Sequence, residues 1–128
     1  MKALLDTHAF LWWLSGDDQL STQARDWIAA VDHPIFVSAA SAWEIATKVR
    51  IGKLPGAQAV VTNFYEYLAQ QGFTPLDITP DHALRVGSLP GSHRDPFDRM
   101  LIAQAQNLNM SLISNEELFD QYGIQRIW

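Results

Sequence analysis

The chain has 128 residues, enough for one domain that buries about two-thirds of its unfolded surface. Apolar residues make up 48% and charged residues 18%, a globular balance, and the lack of cysteine excludes disulfides, a thiol nucleophile and thiolate metal sites. The net charge of −5 argues against a broad basic surface for nucleic acid, although bound divalent metal can supply the positive charge that phosphate needs. The longest apolar run, Ala9 to Leu14, falls far short of the roughly 20 residues of a membrane span. Asp6 arrives where a signal peptide would need its apolar region, so a soluble, cytoplasmic protein with no membrane partner is expected.

In chain order, Ala3-Leu4-Leu5 reads as a short buried strand with Asp6 at its carboxyl end. Thr7 caps a short helix carrying Phe10, Trp13 and Leu14, broken by Ser15-Gly16. Ser21 caps a second helix with Ala24, Trp27, Ile28 and Val31 on one stripe. Pro34 opens the strand Ile35-Phe36-Val37. A helix from Ser38 to about Ile51 comes next, its apolar face made of Ala42, Ile45, Ala46 and Val49. Gly52 and Pro55-Gly56 end it. Residues 57–71 read as a fourth helix, and Phe73 to Ile78 as a weaker strand interrupted by Pro75. Thr79-Pro80 and Asp95-Pro96 are both cap-plus-proline helix starts, separated by the loop Gly87–Ser92. The second of these helices carries Leu101, Ile102, Ala105 and Leu108. Ser111-Leu112-Ile113 is a strand, Glu116 to Asp120 a helical turn, and Ile124 to Trp128 an edge strand. Alternating strands and helices imply an α/β fold with a parallel sheet of 4–5 strands and helices on both faces.

In such a sheet, sites form beyond the carboxyl ends of the strands. Asp6 ends the first strand. Ser38 stands after the second, with Glu44 two helical turns further on. Ser114, Asn115 and Glu116 come after Leu112-Ile113, and Asp98 sits in the first turn of its helix. Three or four carboxylates therefore converge on one edge. Like charges so gathered cost several kcal/mol unless protons or metals neutralise them, and hard cations such as Mg²⁺ take oxygen ligands of this kind. Each acid also has an ordinary structural reading. Asp6 can cap the next helix, and Asp95 before Pro96 is a plain N-cap. Asp98 favours the helix dipole, but it lies in line with Leu101, Ile102 and Ala105, where burial asks for a partner. By spacing alone, Glu44 with Lys48 is a surface i,i+4 ion pair. Ser114 and Glu117 make a capping box, with Glu116 a second acid in that turn.

The four histidines show no zinc spacing. His33 and His82 read as surface residues, and His93-Arg94 as a solvated loop that can reach a phosphate. Trp12, Trp13, Trp27 and Trp43 are expected in the core; base stacking by one of them is the alternative, without support from spacing. Lys48, Arg50 and Lys53 are the one local basic cluster, either a solvated helix end or a weak phosphate track.

Three blocks together carry a resemblance: Leu4-Leu5-Asp6-Thr7-His8; Ser41-Ala42-Trp43-Glu44-Ile45-Ala46 with Lys48 and Gly52-Lys53-Leu54; and His93-Arg94-Asp95-Pro96-Phe97-Asp98-Arg99 with Ile102-Ala103. In this order, across nearly the whole chain, they resemble PIN-domain ribonucleases, above all the VapC-like toxins of bacterial type II toxin–antitoxin pairs, in a branch marked by Asp95-Pro96-Phe97-Asp98-Arg99. The resemblance implies one PIN domain over residues 1–128, an α/β/α sandwich. It implies that Asp6, Glu44 and Asp98 are metal-binding catalytic acids, which overturns the surface-pair reading of Glu44. Asp95 is an acid added in this branch. The fourth acid of the family is usually an aspartate after a threonine; here Ser114-Asn115-Glu116 stands in that place, with Glu116 as the acid. Thr7 and Ser114 resemble hydroxyls that support the carboxylates.

The likeness further implies an endoribonuclease dependent on Mg²⁺ or Mn²⁺, with an RNA substrate, a cognate antitoxin protein and a homodimer as its assembly. Attack by water predicts 5′-phosphate and 3′-hydroxyl ends. The alternative is a non-catalytic PIN-like module that binds RNA or protein. A haloacid-type phosphatase wants a second aspartate where His8 stands, and a receiver domain wants adjacent acids where Asp6 stands alone. Serine-hydrolase, P-loop and dinucleotide motifs are absent.

Overall fold

The computed structural model describes residues 1–128. Strand β1 (Ala3–Leu5) lies at the centre of a five-stranded sheet in the order β3-β2-β1-β4-β5, with β2 at Ile35–Ser38, β3 at Thr74–Leu76, β4 at Ser111–Ile113 and β5 at Arg126–Ile127. All four pairings are parallel. The register aligns Leu4 with Phe36 on one side and with Leu112 on the other.

Side chains alternate between the two faces of a strand, so each strand feeds two cores. Ala3, Leu5, Val37 and Ile113 point to one side and pack with Phe10, Leu20, Ile28, Ile45 and Leu68. Leu4 and Leu112 point to the other side and pack with Ala40, Leu101, Ile102 and Phe119. The first core is covered by α1 (Thr7–Ser15), α2 (Thr22–Ala29), α4 (Gln58–Thr62) and α5 (Phe64–Gln71). The second lies under α7 (Pro96–Leu108), with α6 (Pro80–Gly87) packed against it. Helix α3 (Ala39–Arg50) contributes Ile45 to the first and Ala40 to the second. This is the expected α/β/α arrangement.

Several local expectations change. Asp6, not Thr7, caps α1: its carboxylate accepts from the Ala9 amide at 2.7 Å. Helix α2 stops at Ala29, which leaves Val31 fully exposed rather than on the stripe. The helix expected over 57–71 is three pieces, a 3-10 turn at Pro55–Ala57 and then α4 and α5, which meet at Asn63. Ala46 and Leu108 face outward although their spacing places them on apolar stripes. The last helical turn is a 3-10 segment at Glu117–Tyr122 capped by Glu116, whose Oε1 accepts from the Leu118 amide at 3.1 Å. The Ser114–Glu117 box does not form. His82 is buried, not on the surface: its Nδ1 accepts from the Thr79 amide at 3.1 Å and lies 3.2 Å from Gln104 Nε2. His33 is half-buried and stacked on Trp27 at 3.7 Å.

The chain runs outward from β1 through β2 to β3 and then returns to β4 on the other side of β1. The switch in direction falls between β1 and β4, the place where open α/β sheets build sites. There the Asp6 amide donates to the Ile113 carbonyl at 3.0 Å, which carries the pairing one residue past both strands.

Candidate functional site

Asp6 and Ser114 stand just past the two strands at that switch point, and both are buried. Burial pushes the Asp6 carboxyl above its usual range, and the neighbouring charge of Glu44 pushes the same way. The Ser114 hydroxyl, the Ala9 amide and His8 pull it back. Ser114 Oγ also accepts from the Glu116 amide at 2.9 Å, so one hydroxyl links Asp6 to the turn that carries Glu116. Thr7 turns its hydroxyl elsewhere, donating to Ser41 Oγ at 2.9 Å, and thereby ties α1 to α3.

Glu44 comes from α3 and is 2% exposed. The ion pair with Lys48 that its spacing predicts is present at 2.5 Å, but it is not a surface pair. Burial works against the Lys48 charge. The hydrogen bond Lys48 donates to Glu44 and the charges of Glu44, Asp95 and Asp98 outweigh it and raise the Lys48 pKa. The other Glu44 oxygen, Oε1, is buried without a hydrogen-bond partner. A buried carboxylate oxygen left unpaired is costly and rare.

Asp98 comes from the first turn of α7. Asp95 caps that helix, its Oδ1 accepting from the Phe97 and Asp98 amides at 2.9 and 3.1 Å. Burial first, then the charges of Asp95, Asp6, Glu44 and Glu116, push Asp98 up to about 8. All the acids singled out from the sequence therefore act on one carboxyl, although they come from four separate stretches of chain. They do not close on a ready-made ligating point, since no three of them form a group at metal-binding distance.

Three residues at the site escaped the sequence reading. His93, expected in a solvated loop, is buried with Nε2 at 3.1 Å from Asp98 Oδ2. That contact lies off the line of a hydrogen bond and leaves Nε2 without a proper acceptor. Nδ1 accepts from the Asp95 amide at 3.4 Å, and the ring packs against Phe119. Arg99 pins the loop from below, donating to the His93 carbonyl at 2.8 Å and to the Leu89 carbonyl. Tyr122 holds it from the side, its hydroxyl accepting from the His93 amide at 3.1 Å. Gly91 allows this contact: at φ +98 an added Cβ would meet the Tyr122 ring at 2.4–2.8 Å. The run Asp95-Pro96-Phe97-Asp98-Arg99 is thus one cap, one pocket acid and one loop staple. Trp43 is the other correction. It is 61% exposed instead of in the core and meets Phe97 edge-to-face at 4.9 Å.

The donors are carboxylates and hydroxyls, hard oxygen ligands, and Glu44 Oε1 is a buried acceptor suited to a cation. That set fits a hard divalent ion better than any softer metal. Asp6, Asp98, Glu44 and Glu116 are the residues that would hold it.

A family model described as PIN domain matches residues 3–125. Ribonuclease VapC16 of Mycobacterium tuberculosis is 38% identical over 61 residues, which is 48% of this chain and 42% of that protein, so the match spans less than half of the relative. Among solved structures, VapBC2 from Rickettsia felis bound to a promoter DNA fragment is similar in fold. Its TM-score is 0.72 at 15% identity, and the match covers 98% of this chain and 97% of that one. A toxin–antitoxin complex from Klebsiella pneumoniae has a TM-score of 0.61 at 20% identity and covers 89% and 86%.

Proposed function

The chain belongs to the PIN domain family, and from that premise we propose that it is a Mg²⁺- or Mn²⁺-dependent endoribonuclease, the toxin of a toxin–antitoxin pair. The observation that carries this reading is the charge collected around Asp98, in a pocket where Glu44 keeps a buried, unpaired oxygen. An aspartate raised this far, with Asp6 also raised beside it, is ill-placed in a purely structural role and well suited to a divalent cation.

When bound, such a cation neutralises the acids, polarises water for attack on phosphorus and offsets charge on the transition state. The chain's own residues prepare for this. Ser114 orients Asp6. Asp95 fixes the first turn from which Asp98 projects. His93 rests on Asp98 and is itself held by Tyr122 and Arg99. Lys48 lies beside Glu44, close enough to Asp95 and Asp98 to feel their charge, and it can meet a phosphate oxygen once the acids are neutralised. Support for the toxin assignment comes from the relatives: a VapC ribonuclease over part of the chain, and folds that were solved as VapBC and toxin–antitoxin complexes. An antitoxin protein and a second copy of the chain are the partners this reading carries.

Purified protein should cut RNA with Mg²⁺ or Mn²⁺ and stop with chelator, leaving 5′-phosphate and 3′-hydroxyl ends. Cleavage that survives chelation and leaves 2′,3′-cyclic phosphate would overturn the metal-site reading. A second reading, the non-catalytic binding module, draws on two observations: Glu44 is already engaged by Lys48, and no three acids meet at ligand distance. Calorimetry separates the two, because a catalytic site takes up Mn²⁺ and the binding module does not.

A further inference from the structure

Building on the nuclease reading, we propose that the exposed indole of Trp43, backed by Phe97, is a platform on which an unpaired base of the RNA strand stacks beside the acidic pocket. Helices α3 and α7 each send one acid to the pocket, Glu44 and Asp98. The residue before each acid is aromatic, and these two aromatics meet edge-to-face at 4.9 Å. Neighbouring positions on a helix point about 100° apart, so the same helix pairing that gathers the acids sets an aromatic pair at their side. Phe97 is half-buried and acts as the support. Trp43 leaves most of its surface in water, whereas Trp12, Trp13, Trp27 and Trp128 are all half-buried. The core has no use for Trp43.

Charge on the same helix favours a nucleic-acid strand over a second copy of the chain. Trp43, Thr47 and Arg50 stand at i, i+4 and i+7, one face of α3. Arg50 forms no ion pair with any acid of the chain. An aromatic next to the cleavage pocket, with an unpaired cation two turns further on, suits one base and the phosphate next to it along the strand. In a chain of net charge −5, attraction to phosphate is weak. Stacking is the contact that tolerates this, because every base has a π face.

The test uses a short mixed-sequence single-stranded RNA and the same strand annealed to its complement, with calcium in place of magnesium for binding and magnesium for cleavage. Trp43→Ala is expected to weaken single-strand binding and raise KM about tenfold with kcat within about threefold, while Trp43→Phe retains most of the affinity. Arg50→Ala is expected to weaken binding less, by an amount that vanishes at high salt, and the duplex to bind worse than the single strand. Trp43→Ala binding RNA like the wild type overturns the proposal. So does a loss of binding that tracks a change in sedimentation, which would place Trp43 between copies of the chain. Wild-type protein that binds through Trp43 but cuts nothing with Mg²⁺ or Mn²⁺ keeps this inference and sinks the nuclease reading. Protein that neither binds nor cuts sinks both.

Discussion

Two ion pairs on this molecule have opposite geometry and opposite meaning. Arg126 and Asp120 form a forked pair on the surface, with hydrogen bonds of 2.8 and 3.1 Å that satisfy both carboxylate oxygens. Lys48 and Glu44 share a single bond in a pocket where the acid is almost wholly buried and its second oxygen has no partner. By geometry alone the surface pair is the better one. Water and salt screen it to little net value, whereas in the pocket every unmet charge keeps its full cost. The incomplete pair is the informative one, because a buried carboxylate oxygen left unmatched calls for a partner.

The sharpest way to break that contrast is at Asp98. Asp98→Asn puts a permanently neutral side chain where the folded chain must otherwise take up a proton that the unfolded chain releases. RNA cleavage is expected to fall by about a thousandfold or more, while the metal-free protein gains about 1–2 kcal/mol by denaturant melting, the trade expected of a strained functional site. A variant that loses both activity and stability would show that Asp98 serves the fold. The same crowding predicts a pH dependence. The Asp98 pKa stands near 8 in the folded chain against an ordinary 3.8, chiefly through burial and then through the other acids. Between about pH 4 and 8 the folded chain therefore holds a proton that the unfolded chain has released. Stability from this group is full at low pH and falls as pH rises to 8. Metal-free protein is expected to melt several degrees lower at pH 8 than at pH 5.5, and millimolar Mn²⁺ to restore the loss. A melting curve indifferent to Mn²⁺ at pH 8 would argue that the acids are never a metal site.

Much of this was legible in the residues, and the failures have physical causes. The strands, their parallel order and the edge on which the acids gather can be read from short buried runs, each ended by a polar residue, as at Leu5-Asp6 and Ile113-Ser114. Glu44 was not legible from spacing. Its i,i+4 lysine is real, but periodicity along one helix cannot say that α7 packs over it and excludes water. The likeness of Ser41-Ala42-Trp43-Glu44 to a known block supplied what spacing lacked. His93 was missed because a loop residue is buried only by what folds over it, here Phe119 and Tyr122 from far along the chain. Trp43 was placed in the core by its size alone, since no sequence pattern marks a large apolar side chain that is left outside.

Smaller effects separate the two pairs themselves. Lys48→Met leaves Glu44 charged, buried and unpaired. It should cost about 2 kcal/mol, less than a fully buried pair because Lys48 is partly open to solvent. Glu44→Gln in the same background should recover most of it, a coupling that a double-mutant cycle measures. The surface pair should show the reverse. Asp120 is the residue to change, because Arg126 also donates to the Ser114 carbonyl at 3.1 Å and its loss would disturb the strand end beside Asp6. Arg126 holds the Asp120 carboxyl below its usual range, but Asp120 is exposed, and water takes over most of what the arginine provides. Asp120→Asn is therefore expected to leave Tm within about 2 °C and cleavage unchanged. A larger drop would mean that the forked pair anchors β5 against β4, and that the end of the sheet carrying Ser114 owes its shape to a surface charge and not to the buried pairing of Ile113 with Ile127.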